Sequence, residues 1–254
     1  MRIGCYQCAS PAGDISKGLA LIDGALAQAS GDDIDMLVMP ELFLPGYNAV
    51  TQTKPDGWDD VHTKLKQLCS THGVALTIGL PNYTSNEIFN TAYAFDPDGR
   101  CLAKYRKVQL FGPREERIFK AGDQLCAFEY MGTTFGLLIC YDIEFPEHVR
   151  ALARAGASVV LTPTANMEPF INVCTTLVPA RALENAISVA YANYTDREGD
   201  LTYVGHSVIA GPDGTALAAH GVGEGLITAQ LPTQAEIPLS TQLVDYRPAR
   251  SPSR

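Results

Sequence analysis

Residues 134–147 read TFGLLICYDIEFPE and contain the clearest fold signal in the chain. The short apolar run that ends at Ile139 is typical of a buried strand, and Pro146 suits the first turn of a helix. Cys140 therefore lies on a turn from strand to helix. At such a turn the positive end of the helix dipole favours a thiolate, and the amide of Tyr141 can face a developing oxyanion. A buried core position is the ordinary alternative for any one cysteine.

Strands and helices alternate on both sides of this turn. The predicted strands are 2–8, 35–39, 74–80, 125–130, 134–139, 157–161 and 187–193. The predicted helices lie at about 14–29, 59–72, 146–155 and 172–185. Turn residues at 96–99 and 211–214 predict two hairpins, 88–95 with 100–107 and 203–210 with 215–219. The alternation indicates a layered α/β fold, with a single domain at 1–230 and an extended, proline-containing tail at 231–254.

The composition excludes several classes of protein. The chain has 254 residues, of which 46% are hydrophobic and 19% charged, so we expect an ordered core. A net charge of −9 at pH 7 disfavours nucleic acid and anionic membranes as partners, and no apolar run is long enough to cross a bilayer. The first residues lack the apolar segment of a signal peptide. Because the seven cysteines are an odd number, we expect no disulfide framework and predict a reducing, cytoplasmic location.

Two charged residues stand where predicted strands end, which is where sites gather in layered α/β folds. The run MLVMP precedes Glu41, and the run CLAKYR precedes Lys107. The alternatives are an acid at a helix N-terminus for Glu41 and a solvated strand end for Lys107. We predict no metal site, since Cys5 and Cys8 have no second pair of ligands at zinc spacing and are expected to be core residues.

Three segments resemble, in order, the signatures of the carbon–nitrogen hydrolase (nitrilase) superfamily. They are PELFLPGY at 40–47, YRKVQLFG at 105–112, and GLLICYD at 136–142 with FPE at 145–147. Later residues also agree with the family, namely Arg181–Asn185, Asn193 and Gly205–Gly214. One motif would be weak evidence, but three in the family's order are specific. The resemblance covers about residues 1–230 and implies a four-layer αββα sandwich.

The resemblance also implies the catalytic roles. By it, Cys140 is the nucleophile, Glu41 the general base and Lys107 the stabiliser of the oxyanion. The second glutamate of the family is Glu115, and the adjacent Glu116 is its rival for that role. Neither a metal nor an organic cofactor is implied.

These residue types suit the hydrolysis of amides. Attack by a thiolate places negative charge on the carbonyl oxygen, and an ammonium stabilises that charge. A carboxylate takes the thiol proton and returns it to the departing nitrogen. The expected activity is therefore hydrolysis of a small carboxamide to carboxylic acid and ammonia through a cysteine thioester. Gln109, where many relatives have histidine, leaves the catalytic set intact.

Other activities remain open from the sequence. Tyr141 after the nucleophile resembles the amidase branches, whereas nitrilases proper usually carry tryptophan there. The alternatives are an N-carbamoyl amine hydrolase, a nitrilase and, outside the enzymes, an inactive scaffold on the same fold.

Candidate substrate-binding residues are Phe43, Tyr47, Tyr141, Glu144, Asn166 and Met167. In several branches of the family an arginine stands four residues after the cysteine and binds a substrate carboxylate. Here Glu144 occupies that position, which predicts a preference for neutral or amine-bearing amides. The alternative is that Glu144 faces solvent or caps the following helix.

The family usually dimerises through helices near the catalytic turn. We therefore expect a homodimer or a larger homo-oligomer, formed through the helices at 146–155 and 172–185 and the tail.

Overall fold

Parallel strands form the centre of two β-sheets. The computed structural model describes residues 1–232 and 239–249. Its strands are β1 (Arg2–Ala9), β2 (Met36–Val38), β3 (Ala75–Tyr83), β4 (Ile88–Phe95), β5 (Cys101–Arg106), β6 (Cys126–Tyr130), β7 (Thr133–Leu137), β8 (Val159–Pro163), β9 (Ser188–Ala192), β10 (Tyr194–Thr195), β11 (Arg197–Glu198), β12 (Leu201–Thr202), β13 (Val208–Ala210), β14 (Ala216–Ala219) and β15 (Gly225–Gln230). Its α-helices are α1 (Ile15–Gly31), α2 (Val61–His72), α3 (Gly112–Ile118), α4 (Pro146–Arg154), α5 (Val178–Asn185) and α6 (Gln242–Asp245).

The first sheet has the strand order β10-β1-β2-β3-β4-β5, and β15 also pairs with β1. In it β1, β2 and β3 run parallel, and β4 and β5 continue antiparallel. The second sheet has the order β14-β13-β9-β8-β7-β6, with β7, β8 and β9 parallel. The segments after β2 and β8 meet, because the Glu41 N–H donates to the Thr164 carbonyl at 3.2 Å.

The layering is visible in the side chains of β2 and the residue after it. Met36 and Val38 join a core cluster that includes the second sheet and residues of α4 and α5. Leu37 and Met39 join a separate cluster with residues of α1 and α2. Since successive side chains of a strand face opposite sides, the first sheet is covered by helices on one face and by the second sheet on the other. The predicted four-layer αββα sandwich is confirmed.

Helix ends agree with capping signals in the sequence. The Asp14 side chain accepts from the Lys17 N–H at 2.9 Å and caps α1, and Gly73 ends α2 with a φ of 68°. The helix predicted at 172–185 instead begins with a π-helical turn, Val173–Leu177, before α5. Pro179 has no N–H for an α-helical hydrogen bond, which favours a wider turn before it.

Several elements were not predicted from the sequence, and β15 and α3 are the ones that bear on the site. β15 pairs antiparallel with β1 from Arg2 to Gln7, so strands from opposite ends of the chain lie side by side. α3 is a seven-residue helix, too short to show a clear apolar period. α3 directly follows the segment that contains Lys107, and it carries Glu115.

The tail was predicted to be extended, but its described part includes a helical turn, α6, that contacts α4 and α5. Leu243 packs against the core, and the Arg154 guanidinium lies 5.2 Å from the centre of the Tyr246 ring. These contacts dock this part of the tail against the helices that cover the second sheet. Residues 233–238 and 250–254 of the tail lie outside the described residues, and the domain boundary at 230 stays a prediction. No helix of the described residues is long and apolar enough to cross a membrane.

Candidate active site

Cys140 is the first residue of a 3₁₀ turn, Cys140–Glu144, that follows β7. Its φ of 44° is uncommon for a residue with a side chain, so the surrounding structure must hold the turn in this shape. Cys140 is partly exposed, whereas Ile139 before it and Asp142 after it are fully buried. The turn thus presents the thiol at the end of a buried strand, as the sequence predicts.

Glu41 lies just beyond β2, and the backbone of β3 passes unusually close to it. A Cβ atom on Gly79 would lie 2.6 Å from both the Glu41 Cα and the Leu42 N, so only glycine permits this approach. The Phe43 N–H donates to the Gly79 carbonyl at 2.8 Å and fixes the same turn. The result is a fully buried Glu41 side chain.

Lys107 connects two buried carboxylates. Its Nζ atom lies 2.7 Å from Glu41 Oε1 and 2.8 Å from Glu115 Oε1, and all three side chains have no exposed surface. The Lys107 backbone is held by its N–H, which donates to the Asn90 carbonyl at 2.8 Å. Breaking such a buried pair is costly, because it leaves an uncompensated charge in the protein interior.

Glu41 has the properties of a base that works near neutral pH. Burial raises the pKa of its carboxyl to about 7, although the Lys107 ammonium opposes this shift. Its Oε1 atom accepts from Lys107 Nζ and, at 2.6 Å, from Asn90 Nδ2. Its Oε2 atom is buried and has no hydrogen-bond partner among the described residues. This oxygen is therefore available to accept a proton.

Both carboxylate oxygens of Glu115 accept hydrogen bonds, unlike those of Glu41. Its Oε1 atom accepts from Lys107 Nζ and from the Tyr47 hydroxyl at 2.6 Å, and its Oε2 atom accepts from the Phe111 N–H at 3.0 Å. The neighbouring Glu116 is exposed. The geometry therefore brings Glu115, and not Glu116, to the lysine.

The environment of Cys140 keeps its thiol neutral at rest. Burial raises the pKa of the thiol well above its ordinary value, and the Glu41 carboxylate raises it further. The Lys107 charge and hydrogen bonding by the Thr164 side chain and the Ala165 backbone lower this pKa. A thiolate must therefore be generated by a nearby base, with Lys107 stabilising the product.

Asp142 links the lysine segment to the cysteine turn. This role was not predicted from the sequence. Its Oδ2 atom accepts from the Tyr105 hydroxyl at 2.8 Å and from the Ile139 N–H at 3.1 Å. Its Oδ1 atom accepts from the Gln109 N–H at 2.8 Å. The only sequence signal is its place within the third motif. Asn90, which also contacts the site, lies in no motif.

The predicted substrate-binding residues have different surroundings. Tyr141 is partly exposed beside the nucleophile, while Tyr47 is buried and bonded to Glu115. The Asn166 side chain donates to the Phe170 carbonyl at 2.9 Å and so holds the next loop. Phe43 and Met167 belong to the core cluster that also contains residues of α1 and α2. Phe43 is fully buried and stacked on a tyrosine, and Met167 is partly buried. Their roles in binding stay predictions.

Glu144 lies at the end of the catalytic turn. Arg181 holds the turn by its backbone, since its Nε and Nη2 atoms donate to the carbonyls of Ile143 at 3.1 Å and Glu144 at 2.8 Å. Burial raises the pKa of the half-buried Glu144 carboxyl, while Arg181 and Lys107 lower it. The carboxylate therefore lies within the electrostatic reach of Lys107.

In residues 1–232 and 239–249, no group of three or more His, Cys, Asp or Glu side chains is arranged to hold a metal ion. All seven cysteines are free thiols. Glu41, Lys107 and Glu115 form a fully buried charged cluster near Cys140, an arrangement suited to proton transfer and to stabilising an oxyanion.

Comparison with known proteins identifies the family. The sequence model described as carbon-nitrogen hydrolase matches residues 2–238. The protein named "Hydrolase in pqqF 5'region" of Pseudomonas protegens is 38% identical, with 98% of this chain and 90% of that protein covered. An (R)-stereoselective amidase of a Pseudomonas species is 34% identical, with 88% and 82% covered.

A solved structure shows the same architecture. The crystal structure of an amidase from Nesterenkonia sp. superposes with a TM-score of 0.89 at 38% identity, covering 97% of this chain and 93% of that one. A variant of that amidase shows acrylamide added to its active-site cysteine. The present chain therefore belongs to the carbon–nitrogen hydrolase (nitrilase) superfamily and is a hydrolase of amidase type, acting on carbon–nitrogen bonds other than peptide bonds.

Proposed function

We propose that Cys140, Glu41, Lys107 and Glu115 hydrolyse small neutral or amine-bearing carboxamides to carboxylic acid and ammonia. The observation that carries the proposal is the buried Lys107 ammonium between two carboxylates, one of which has a free oxygen and a pKa of about 7. This set supplies a base, an acid and a fixed positive charge next to a thiol.

The reaction begins when Glu41 Oε2 takes the Cys140 thiol proton and the sulfur attacks the amide carbon. An ammonium has three protons, and Lys107 uses two of them on its carboxylates. The third can donate to the oxyanion, together with the Tyr141 N–H. Glu41 then gives its proton to the departing nitrogen, and ammonia leaves a thioester.

Water completes the cycle. Glu41 accepts a proton from water, and the resulting hydroxide attacks the thioester carbon. Collapse of this intermediate expels the thiolate, which recovers the proton from Glu41 as the acid leaves. Glu115 holds Lys107 in place during the cycle, and its own carboxylate is fixed by hydrogen bonds from Lys107 Nζ, the Tyr47 hydroxyl and the Phe111 N–H.

Relatives support the substrate class. One variant of the Nesterenkonia amidase, in which alanine replaces a cysteine, is in complex with butyramide. Another variant carries the acetamide moiety of fluoroacetamide on its active-site cysteine, and both amides are small and neutral. A relative in Bacillus subtilis, 34% identical over 83% of this chain, is instead named 2-oxoglutaramate amidase, after an anionic amide. The negative Glu144 in the present chain favours the neutral class.

The test is ammonia release from a panel of amides, N-carbamoyl amines and nitriles by the wild type and by Cys140→Ala. We expect release from amides, and a loss on the order of 10⁶-fold in the variant, because no neighbouring group can replace the nucleophile. Substantial activity of purified Cys140→Ala would show that the mechanism is wrong, and ammonia from nitriles alone would show that the substrate class is wrong.

A matched pair of variants tests the second glutamate. Glu115→Gln should lower kcat severely, since it removes a charge that holds Lys107. Glu116→Gln should keep wild-type turnover, because Glu116 is exposed. The reverse result would transfer the role to Glu116.

We also propose that the protein is a cytoplasmic homodimer. Seven free thiols, most of them buried or partly buried, suit a reducing compartment. Leu183 on α5 is 42% exposed, and Val244 and Tyr246 of the docked tail are also largely exposed. These apolar side chains offer a surface that a second copy can cover.

A further inference from the structure

Five aromatic side chains form a continuous row beside the nucleophile, here named the aromatic row. The ring of Phe170 lies 5.8 Å from that of Phe111, which lies 5.2 Å from Tyr141. Tyr141 lies 5.0 Å from Phe145, and the Phe145 ring lies 5.7 Å from His148. The first three contacts are edge-to-face, the arrangement that aromatic pairs favour. Phe170 is the exposed end of the row, with 39% of its surface open to solvent.

The aromatic row is attached to the segments that carry the catalytic groups. Tyr141 directly follows the nucleophile in the chain. The Phe111 N–H donates to Glu115 Oε2 at 3.0 Å. The Phe170 carbonyl accepts from Asn166 Nδ2, and the residue before Asn166 has its backbone against the thiol. The row is therefore attached to the segments that carry Cys140 and Glu115.

An acyl chain that extends from Cys140 along the row contacts Tyr141 first, then Phe111 and last Phe170. An acetyl group on Cys140 has only one methyl group beyond its carbonyl carbon. Phe170 is two ring contacts beyond Tyr141, so only a longer chain extends to it. Covering an exposed apolar ring with methylene groups removes water from both surfaces, which favours binding by up to about fourfold per methylene.

We propose that Phe170 is a specificity-determining residue that binds the outer part of an apolar acyl chain. The inference rests on the proposed function, because it names the acyl class that the same nucleophile receives. The preferred substrates are then primary amides of unbranched aliphatic acids longer than butyric acid, rather than acetamide.

The experiment measures kcat/KM by ammonia release for acetamide, propionamide, butyramide, valeramide and hexanamide. For the wild type, we expect kcat/KM to rise about two- to fourfold for each methylene beyond butyramide. Phe170→Ala should lose this rise, with about a tenfold drop on hexanamide and less than a twofold change on acetamide. Phe170→Leu should keep most of the rise, because it restores an apolar side chain.

Ile171→Ala is the matched control. Ile171 is the next residue, is 44% exposed and lines a cavity of about 430 Å³ together with His206 and Val222, which are not part of the aromatic row. This variant should retain the wild-type dependence on chain length. A flat wild-type profile, an equal loss on every amide in Phe170→Ala, or the same loss of slope in Ile171→Ala would overturn the inference. Absence of ammonia from every amide would instead overturn the proposed function.

Discussion

At the scale of single residues, one ammonium shared by two carboxylates controls when the base is available. The Lys107 ammonium lowers the pKa of Glu41, but burial and the nearby Glu115 carboxylate raise it. Glu41 therefore stays protonated in acid and becomes a base only as the pH rises through about 7. kcat/KM should fall about tenfold for each pH unit below that value.

Asn90→Ala tests this control of the base. The Asn90 amide donates to Glu41 Oε1 and so lowers the pKa of the carboxyl. Without that hydrogen bond the pKa of Glu41 rises, and the acid limb of the pH–rate profile should move to higher pH by about one unit. The rate at high pH should largely remain. Thr91→Val on the same strand is the control, because within the described part of the chain the Thr91 hydroxyl bonds only to the Phe89 carbonyl. This variant should leave the limb in place.

Glu144 tests the role of substrate charge. In a half-buried site its carboxylate should repel an anionic substrate and attract an ammonium by ~1–4 kcal/mol, at the lower end where solvent screens it. We therefore expect a higher kcat/KM for β-alaninamide than for succinamate. Glu144→Gln should reduce that preference by about tenfold or more. A wild-type preference for succinamate, or a preference unchanged by the substitution, would contradict the assignment.

Among the structural elements, those marked by a local sequence pattern could be predicted, whereas contacts between distant segments could not. Short apolar runs precede Glu41 and Cys140, and the strand-like run CLAKYR precedes Lys107, so these strand ends can be predicted without a structure. Asn90 and Asp142 act through hydrogen bonds to residues 49 and 37 positions away, and no local pattern encodes such contacts. β15 was not predicted for the same reason, because its pairing partner is the first strand of the chain.

Gly79→Ala tests how closely β3 must approach the base. A Cβ atom would lie 2.6 Å from the backbone of Glu41 and Leu42, so the turn must shift. We expect kcat to fall at least about tenfold, because a small displacement of the base weakens proton transfer. Gly24→Ala is the control, since Gly24 lies on the exposed face of α1. Apart from its chain neighbours and the backbone of its own helix, no atom of the described residues lies within 4 Å of an added Cβ. That variant should be fully active and about 0.5–1 kcal/mol more stable to unfolding. Equal activity of the two variants would contradict this account.

At the scale of the whole molecule, the site is built where the two sheets meet. Glu41 and Lys107 come from the first sheet, and Cys140 comes from the second. Asp142 crosses between them by accepting from Tyr105 of β5 and from Ile139 beside the nucleophile. Any force that moves one sheet relative to the other therefore separates the thiol from its base.

The helices that cover the second sheet connect this site to the surface proposed for dimerisation. Arg181 of α5 holds two carbonyls of the catalytic turn, and Leu183 lies exposed on the same short helix. A second copy that covers Leu183 should restrain α5 and, through Arg181, the cysteine turn. Dimer formation and full activity should therefore be lost together.

Light scattering at micromolar concentration should give a mass of twice 27.3 kDa for the wild type. Leu183→Glu should give the monomer mass and a lower kcat, because a buried charge opposes association and α5 loses its support. Val222→Glu is the control: Val222 is 74% exposed and lies near His206 rather than on α5, so this variant should remain dimeric and active. A wild-type mass of 27.3 kDa would refute the dimer, and a fully active Leu183→Glu monomer would refute the coupling, because Arg181 would then hold the turn without help from a second subunit.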